Sequence, residues 1–292
     1  MTDRQTVLIS GATGNIGGGA AVALAKRGAH VVLLGRKPDT LEAEADSIRA
    51  ALSDVEVENA AIETLAFDFS DMGSVRLGAA AALSRFPAIH GLVLSTGALV
   101  QNGPNILPNG HELMFATNVM GPYLFTQLLL ERMQQSDGLV LHVVAMHHGE
   151  IDWGDLESIK KHKTGDAFNR TKTMNRVIAG ELARRYAGKI SSVAFNPTYI
   201  IDKEDPELEK RWPSGYMGFF WRVMTVLIAK PPSVAGEPIA DLMLSYRDRQ
   251  AINGALFKLE KRVDKPDRAM ADTALGQRLW DELALITGLA PE

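Results

Sequence analysis

Short runs of consecutive apolar residues alternate along the chain with longer stretches in which apolar positions recur every three or four residues. The short runs suit strands buried on both faces, and the longer stretches suit the helices that cover them. The first run, Thr6–Ser10 (TVLIS), is followed by a small-residue helical pattern over Ile16–Arg27. Further strands are predicted at His30–Leu34, Thr64–Phe67, Gly91–Ser95, Leu139–Ala145 and Ile190–Asn196, with one more near Ala255–Leu259. Helices are predicted over Asp39–Ser53, Met72–Phe86, Glu112–Gln135, Asp166–Tyr186, Val234–Arg247 and Asp272–Thr287. Such alternation predicts βαβ units. The expected fold is α/β: a single Rossmann-type, doubly wound parallel sheet of about seven strands with helices on both faces.

The rhythm breaks between Pro197 and Pro232, where prolines, tryptophans and mixed charges replace it. No shift in composition marks a second domain, so residues 1–292 read as one dinucleotide-binding domain. Residues 198–231 read as an insertion within it, folded over the carboxyl edge of the sheet and covering a substrate.

Composition narrows the function classes. The 46% hydrophobic content fills one large core, and the net charge of −4 comes without any basic tract. Neither nucleic acid nor an anionic membrane is an expected partner. With no cysteine there is no disulfide, thiolate metal site or cysteine nucleophile, which fits a reducing cytoplasm. A strand-like run follows Met1–Gln5 at once, so no leader is expected. The apolar stretch Tyr216–Ala229 is interrupted by Arg222 and is too short to cross a bilayer, so no integral membrane contact is expected. His142, His147 and His148 lie close in sequence, but no carboxylate joins them at ligand spacing, so no metal site is expected.

Between the first strand and the first helix lies Ser10-Gly11-Ala12-Thr13-Gly14-Asn15-Ile16-Gly17. Glycines here permit a tight turn, close approach of backbone to a pyrophosphate, and close packing of helix on strand. The helix N-terminus then offers free N–H groups to phosphate. Gly11, Thr13, Asn15, Ile16 and Gly17 are therefore candidate cofactor-binding residues. Gly18 and Gly19 extend the run into the helix and predict unusually close packing there. At the end of the second strand an acid would suit the ribose of NAD, but the chain reads Leu34-Gly35-Arg36-Lys37. Two cations suit a 2′-phosphate, so Arg36 and Lys37 point to NADP(H).

At these residues the sequence resembles the short-chain dehydrogenase/reductase family, in particular its retinol-dehydrogenase-like branch. The resemblance extends over nearly the whole chain. Asp68, in Ala66-Phe67-Asp68-Phe69-Ser70, matches the acid that the family uses on the adenine ring, with Phe69 beside it. Ser95-Thr96-Gly97 stands where the family has Asn-Ala-Gly, and Asn118 matches the active-site asparagine. Lys172 matches the lysine that holds the nicotinamide ribose, and Pro197 the proline beside the nicotinamide. The ending Leu279-Trp280-Asp281-Glu282 is also similar to the retinol-dehydrogenase branch. The resemblance further implies a homodimer or homotetramer built through the long helices.

The resemblance also fixes what is missing. The family uses tyrosine as acid/base and serine as a carbonyl ligand. Here the tyrosine position is Phe168, in Phe168-Asn169-Arg170-Thr171-Lys172. The serine position is Ala145, or Val144 in the adjacent register, and Thr198 replaces the glycine after Pro197. A positioned general acid supplies about 10²–10⁴ in rate. Two residues are candidates to replace it: His147, just after the fifth strand, and Tyr199, just after the sixth. Three readings stay open: an NADP(H)-dependent oxidoreductase lacking the tyrosine acid/base; a non-redox isomerase, cyclase or lyase on the same fold; and an inactive cofactor-binding regulator. Leu99, Val100, Met146 and the aromatic stretch Trp212–Trp221 predict an apolar, ring-bearing small-molecule substrate. Those aromatics equally suit an oligomer interface or a satellite core.

Overall fold

The computed structural model describes residues 4–53, 60–101, 103–145, 147–203, 222–223, 225–246 and 248–290. In chain order the elements are β1 (Thr6–Ser10), α1 (Asn15–Lys26), β2 (His30–Gly35), α2 (Pro38–Ala50), β3 (Ala61–Ala66), α3 (Met72–Arg85) and β4 (Gly91–Leu94). There follow α4 (Leu113–Gln134), β5 (Leu139–Val143), α5 (Thr164–Arg185), β6 (Ser191–Asn196) and α6 (Ser233–Leu244). The chain closes with β7 (Leu256–Lys258), β8 (Lys261–Arg262), α7 (Arg268–Ala271) and α8 (Thr273–Thr287).

The strands form one sheet in the order β3-β2-β1-β4-β5-β6-β7-β8. Every pairing is parallel except β7 with β8. This makes eight strands where sequence predicts about seven. The eighth holds only the exposed Lys261 and Arg262, so it has no apolar run to announce it. Helix bounds also differ: α2 stops at Ala50 rather than Ser53, and α6 at Leu244 rather than Arg247.

Successive residues of a strand point to opposite faces. Leu8, Val32, Leu34, Leu92 and Leu94 accordingly join the core under α3, α4, α5 and α8, with Phe125 and Trp280. Val7, Ile9, Val31, Leu33 and Val93 join the opposite core, with Leu24, Ile48 and Ile239 of α1, α2 and α6. Burial on both faces explains why the strands are uniformly apolar. The helix Leu113–Gln134 is apolar and long enough to cross a membrane by composition alone, but 78% of its most apolar window is buried inside the fold. Its turn Ala116–Met120 is π-helical, a feature common at functional sites and invisible to a periodicity of 3.6.

The expected close packing at Gly19 is present. A Cβ there would lie 2.5 Å from the carbonyl oxygen of Pro232, and one at Gly236 would overlap the Gly19 carbonyl. Helices α1 and α6 thus touch backbone to backbone, which only glycine allows. Of the expected covering segment 198–231, residues 204–221 and 224 lie outside the described residues, as do Met146 and the whole stretch Trp212–Trp221.

Candidate active site

The strand order turns around between β1 and β4, and ligands of open α/β sheets bind at the carboxyl ends beside such a point. Gly11 leaves β1 with φ of +64°. A Cβ there would sit 2.9 Å from Thr96 N, and one at Gly17 would overlap the Gly11 carbonyl. The loop is closed by Gly14 N donating to Gly11 O at 3.0 Å and Gly18 N to Gly14 O at 2.7 Å. Its N-cap, Gly14, supplies no side-chain acceptor, and the first turn of α1 carries no acid. The leading N–H groups of α1 are therefore uncapped, with the positive end of the helix behind them. Thr13 is exposed beside them, while Asn15 and Ile16 are half-buried.

The neighbouring strand end is tied to this loop. Ser10 Oγ accepts from Ser95 N at 3.1 Å and Thr96 N at 3.2 Å, and Ser95 Oγ donates to Ser10 O at 2.8 Å. Thr96 Oγ1 is buried without a partner among the described residues. Arg36 and Lys37 are exposed just past β2. Asp68 accepts from Ser70 N and Ser70 Oγ, both at 2.8 Å and both on Oδ1. The Phe69 ring belongs to the core with Phe67 and Phe125, so only its backbone can face a ligand. Uncapped N–H groups, an orphan buried hydroxyl and two exposed cations fit a dinucleotide phosphate. A cleft of about 870 Å³ borders Thr13, Gly14 and Asn15 but includes neither Phe168 nor Lys172. Side-chain placement is therefore the better guide to the reactive end.

That end is set by α4, α5, β5 and β6. Asn118, fully buried in the π-helical turn, accepts from Ala98 N at 2.7 Å and donates to Ala98 O at 3.0 Å and Thr171 Oγ1 at 3.2 Å. It braces the strand end at Gly97 against α5. Lys172 reaches up from α5 with Nζ 3.3 Å from Val143 O and 3.4 Å from Thr96 O. Burial lowers this amine from its ordinary 10.5 to about 8. Phe168 lies one turn earlier, its ring centroid 5.6 Å from Lys172 Nζ. A Cβ on Gly97 would be 3.5 Å from that Nζ and 3.9 Å from Phe168 Cε2. Gly97, Phe168 and Lys172 thus lie together, and no hydroxyl stands at 145 or 168.

The two proposed replacement donors are placed differently. His147 is exposed on the loop after β5. The Tyr199 hydroxyl lies 3.4 Å from Thr225 Oγ1, and its carbonyl accepts from Lys230 N, so this residue is engaged with the segment leading into α6. Pro197 is buried at the end of β6. Thr198 follows it with φ of +65°, rare for a β-branched residue and costing about 1–3 kcal/mol. Its N–H donates to Asn196 Oδ1 at 2.9 Å, and its Oγ1 is buried without a partner among the described residues.

Sequence reasoning missed two buried groups behind the site. His142, on β5, is held neutral: burial first, and the Lys172 charge second, lower it from 6.5 to about 3. Arg176, one turn beyond Lys172, is buried and pairs with Asp267 at 2.8 Å. It also contacts His148 Nε2 at 2.7 Å and donates to the Ala145 carbonyl. Arg176 thereby pins the end of β5, with Thr173 Oγ1 holding Gly149 N at 2.8 Å just beyond. One signal was available: a charged residue among Met174, Val177 and Ile178 on a buried helix.

The fold and this edge are those of a nucleotide-binding oxidoreductase class. Residues 5–151 match the family described as short chain dehydrogenase. The chain is 32% identical over 289 residues to retinol dehydrogenase 12 of Homo sapiens, covering 98% of this chain and 87% of that protein. It is 28% identical over 294 residues to retinol dehydrogenase 13 of Mus musculus, covering 98% and 84%. L-sorbose reductase from Gluconobacter frateurii, solved with NADPH and L-sorbose, superposes with a TM-score of 0.67 at 18% identity, over 89% of this chain and 98% of that one. That likeness is one of fold. The chain belongs to the short-chain dehydrogenase/reductase family of oxidoreductases and is retinol-dehydrogenase-like.

Proposed function

We propose that the chain is an NADP(H)-dependent oxidoreductase acting on an apolar, ring-bearing small molecule by a route without a tyrosine acid/base. The observation that carries this reading is the convergence of Gly97, Phe168 and buried Lys172 beside an uncapped α1 N-terminus. The first turn of α1, with Thr13, Asn15 and Ile16, would hold the pyrophosphate. Arg36 and Lys37 would hold a 2′-phosphate, Asp68 the adenine, and Lys172 the ribose hydroxyls. When bound, the nicotinamide supplies the two-electron chemistry. Lys172 then keeps a cation under the ribose, and Phe168 presents an apolar face where the family presents a phenol. A substrate whose acceptor carbon needs little protonic help, such as an enone, suits that arrangement. Retinol, in the relatives' names, is apolar and carries a ring.

The absent hydroxyls at 145 and 168 favour one second reading, non-redox isomerisation, cyclisation or elimination in the same pocket. Fluorescence titration with NADPH and NADH, followed by an enone and carbonyl panel, separates the two. The first reading expects NADPH to bind more tightly than NADH and to be oxidised by some enone. Binding without oxidation supports the second. A Phe168→Tyr, Ala145→Ser double variant is expected to gain ordinary carbonyl reduction by about 10²-fold or more. A folded, NADPH-bound double variant that stays inert would refute the placement of those two positions.

A further inference from the structure

We propose that Thr198 hydrogen-bonds the substrate oxygen, standing in for the hydroxyls absent at positions 145 and 168. The inference rests on the oxidoreductase reading above and adds to it a specificity-determining residue.

Thr198 carries two penalties at once. Its φ of +65° is a left-handed conformation that a β-branched side chain resists, and its Oγ1 is buried without a partner among the described residues. Glycine at this place would remove both. The turn itself does not require threonine, because the bond from Thr198 N to Asn196 Oδ1 at 2.9 Å uses only the backbone N–H, which glycine also has. Strain held where a cheaper residue is available marks a position shaped by its ligand.

The position is right for the missing group. Strands β5 and β6 are parallel neighbours, with Val143 opposite Phe195 and Val144 N donating to Phe195 O at 2.9 Å. Ala145 and Thr198 therefore both follow the carboxyl ends of neighbouring strands, at the same edge of the sheet. A hydroxyl lost from the end of β5 is matched by one gained at the end of β6. The other nearby hydroxyls are less suited. Tyr199 OH is turned toward Thr225 Oγ1, and Thr96 follows β4, which β5 separates from β6.

The test uses the full chain as wild type and as Thr198→Gly, Thr198→Val and Thr198→Ser. Each is measured for melting temperature, for NADP⁺ affinity, and for affinity of the NADP⁺-saturated protein toward β-ionone, a ring-bearing enone. Thr198→Gly is expected to melt at a higher temperature and to bind NADP⁺ within about twofold of wild type. Its β-ionone affinity is expected to fall about tenfold, the loss of one hydrogen bond. Thr198→Val, which keeps the strained backbone and loses only the hydroxyl, should lose β-ionone affinity equally. Thr198→Ser should retain it within about threefold. Wild-type β-ionone affinity in both the Gly and Val variants overturns the proposal. A parallel fall in NADP⁺ affinity also overturns it, by assigning the hydroxyl to the cofactor. Failure of the wild type itself to bind NADP⁺, or to bind β-ionone and every other enone of the panel, refutes the underlying reading, and is recognised by appearing before any substitution is made.

Discussion

The two halves of the sheet's carboxyl edge are built by different means. On the side of β1 and β4 the working groups belong to the main chain: uncapped N–H groups of α1, the left-handed Gly11, and strand ends laced by Ser10. On the side of β5 and β6 the proposed working groups are side chains: Phe168, Lys172, Ala145 and Thr198. A backbone cradle depends on glycine spacing and fails if Gly11 or Gly17 gains a side chain. A side-chain site can exchange its chemistry residue by residue while helices and strands stay in place. On the reading proposed above, the difference accounts for one half keeping its form while the other changes its chemistry.

The comparison is sharpest at Gly17. A side chain there would overlap the Gly11 carbonyl and approach Ser95 Oγ within 2.8 Å. Gly17→Val should abolish NADPH binding in a fluorescence titration and lower stability by about 1–3 kcal/mol, as overpacking does. Retained binding would mean that the cradle is not the rigid half.

Lys172 should behave in the opposite way. Its folded value of about 8 lies below the ordinary 10.5, so folding disfavours its charge. Below about pH 8 both states hold the proton and the full cost is present. Between 8 and 10.5 the unfolded chain keeps a proton that the folded one releases, so stability climbs with pH. Lys172→Met should therefore weaken NADPH binding yet raise stability at pH 7, on the order of 1–3 kcal/mol after the lost carbonyl contacts are set against it. The gain should shrink as pH rises from 8 toward 10.5. A variant less stable at pH 7, seen by chemical denaturation, would show that the amine is held by more than it costs.

The smallest effect at neutral pH is expected at His142. Its folded value of about 3 lies below the ordinary 6.5, so the unfolded chain takes up a proton first as pH falls. Its contribution is intact above 6.5 and is lost progressively toward 3. His142→Leu should flatten the acid limb of the stability profile by about one proton's worth of slope and leave neutral pH nearly unchanged. An unchanged acid limb would place the acid sensitivity elsewhere.

Much of the sheet was legible because strands buried on both faces read as continuous apolar runs, as Thr6–Ser10 and Leu139–Val143 do. β8 was not, since two exposed basic residues carry no pattern. The converging set Gly97, Phe168 and Lys172 was legible because spacing along α5 and the strand–loop–helix context constrain it. Arg176 with Asp267 was not: the two are far apart in sequence, and only the packing of α7 against α5 makes them partners. The left-handed turn at Thr198 was marked only by the glycine that the resemblance places there, since threonine itself gives no sign of accepting positive φ.

The backbone contact between α1 and α6 restricts how this protein can diversify. Gly19 seats against the backbone of Pro232 and Gly236 against the backbone of Gly19, so neither can gain a side chain without collision. A chain that keeps the joint keeps a fixed anchorage where α6 begins at Ser233.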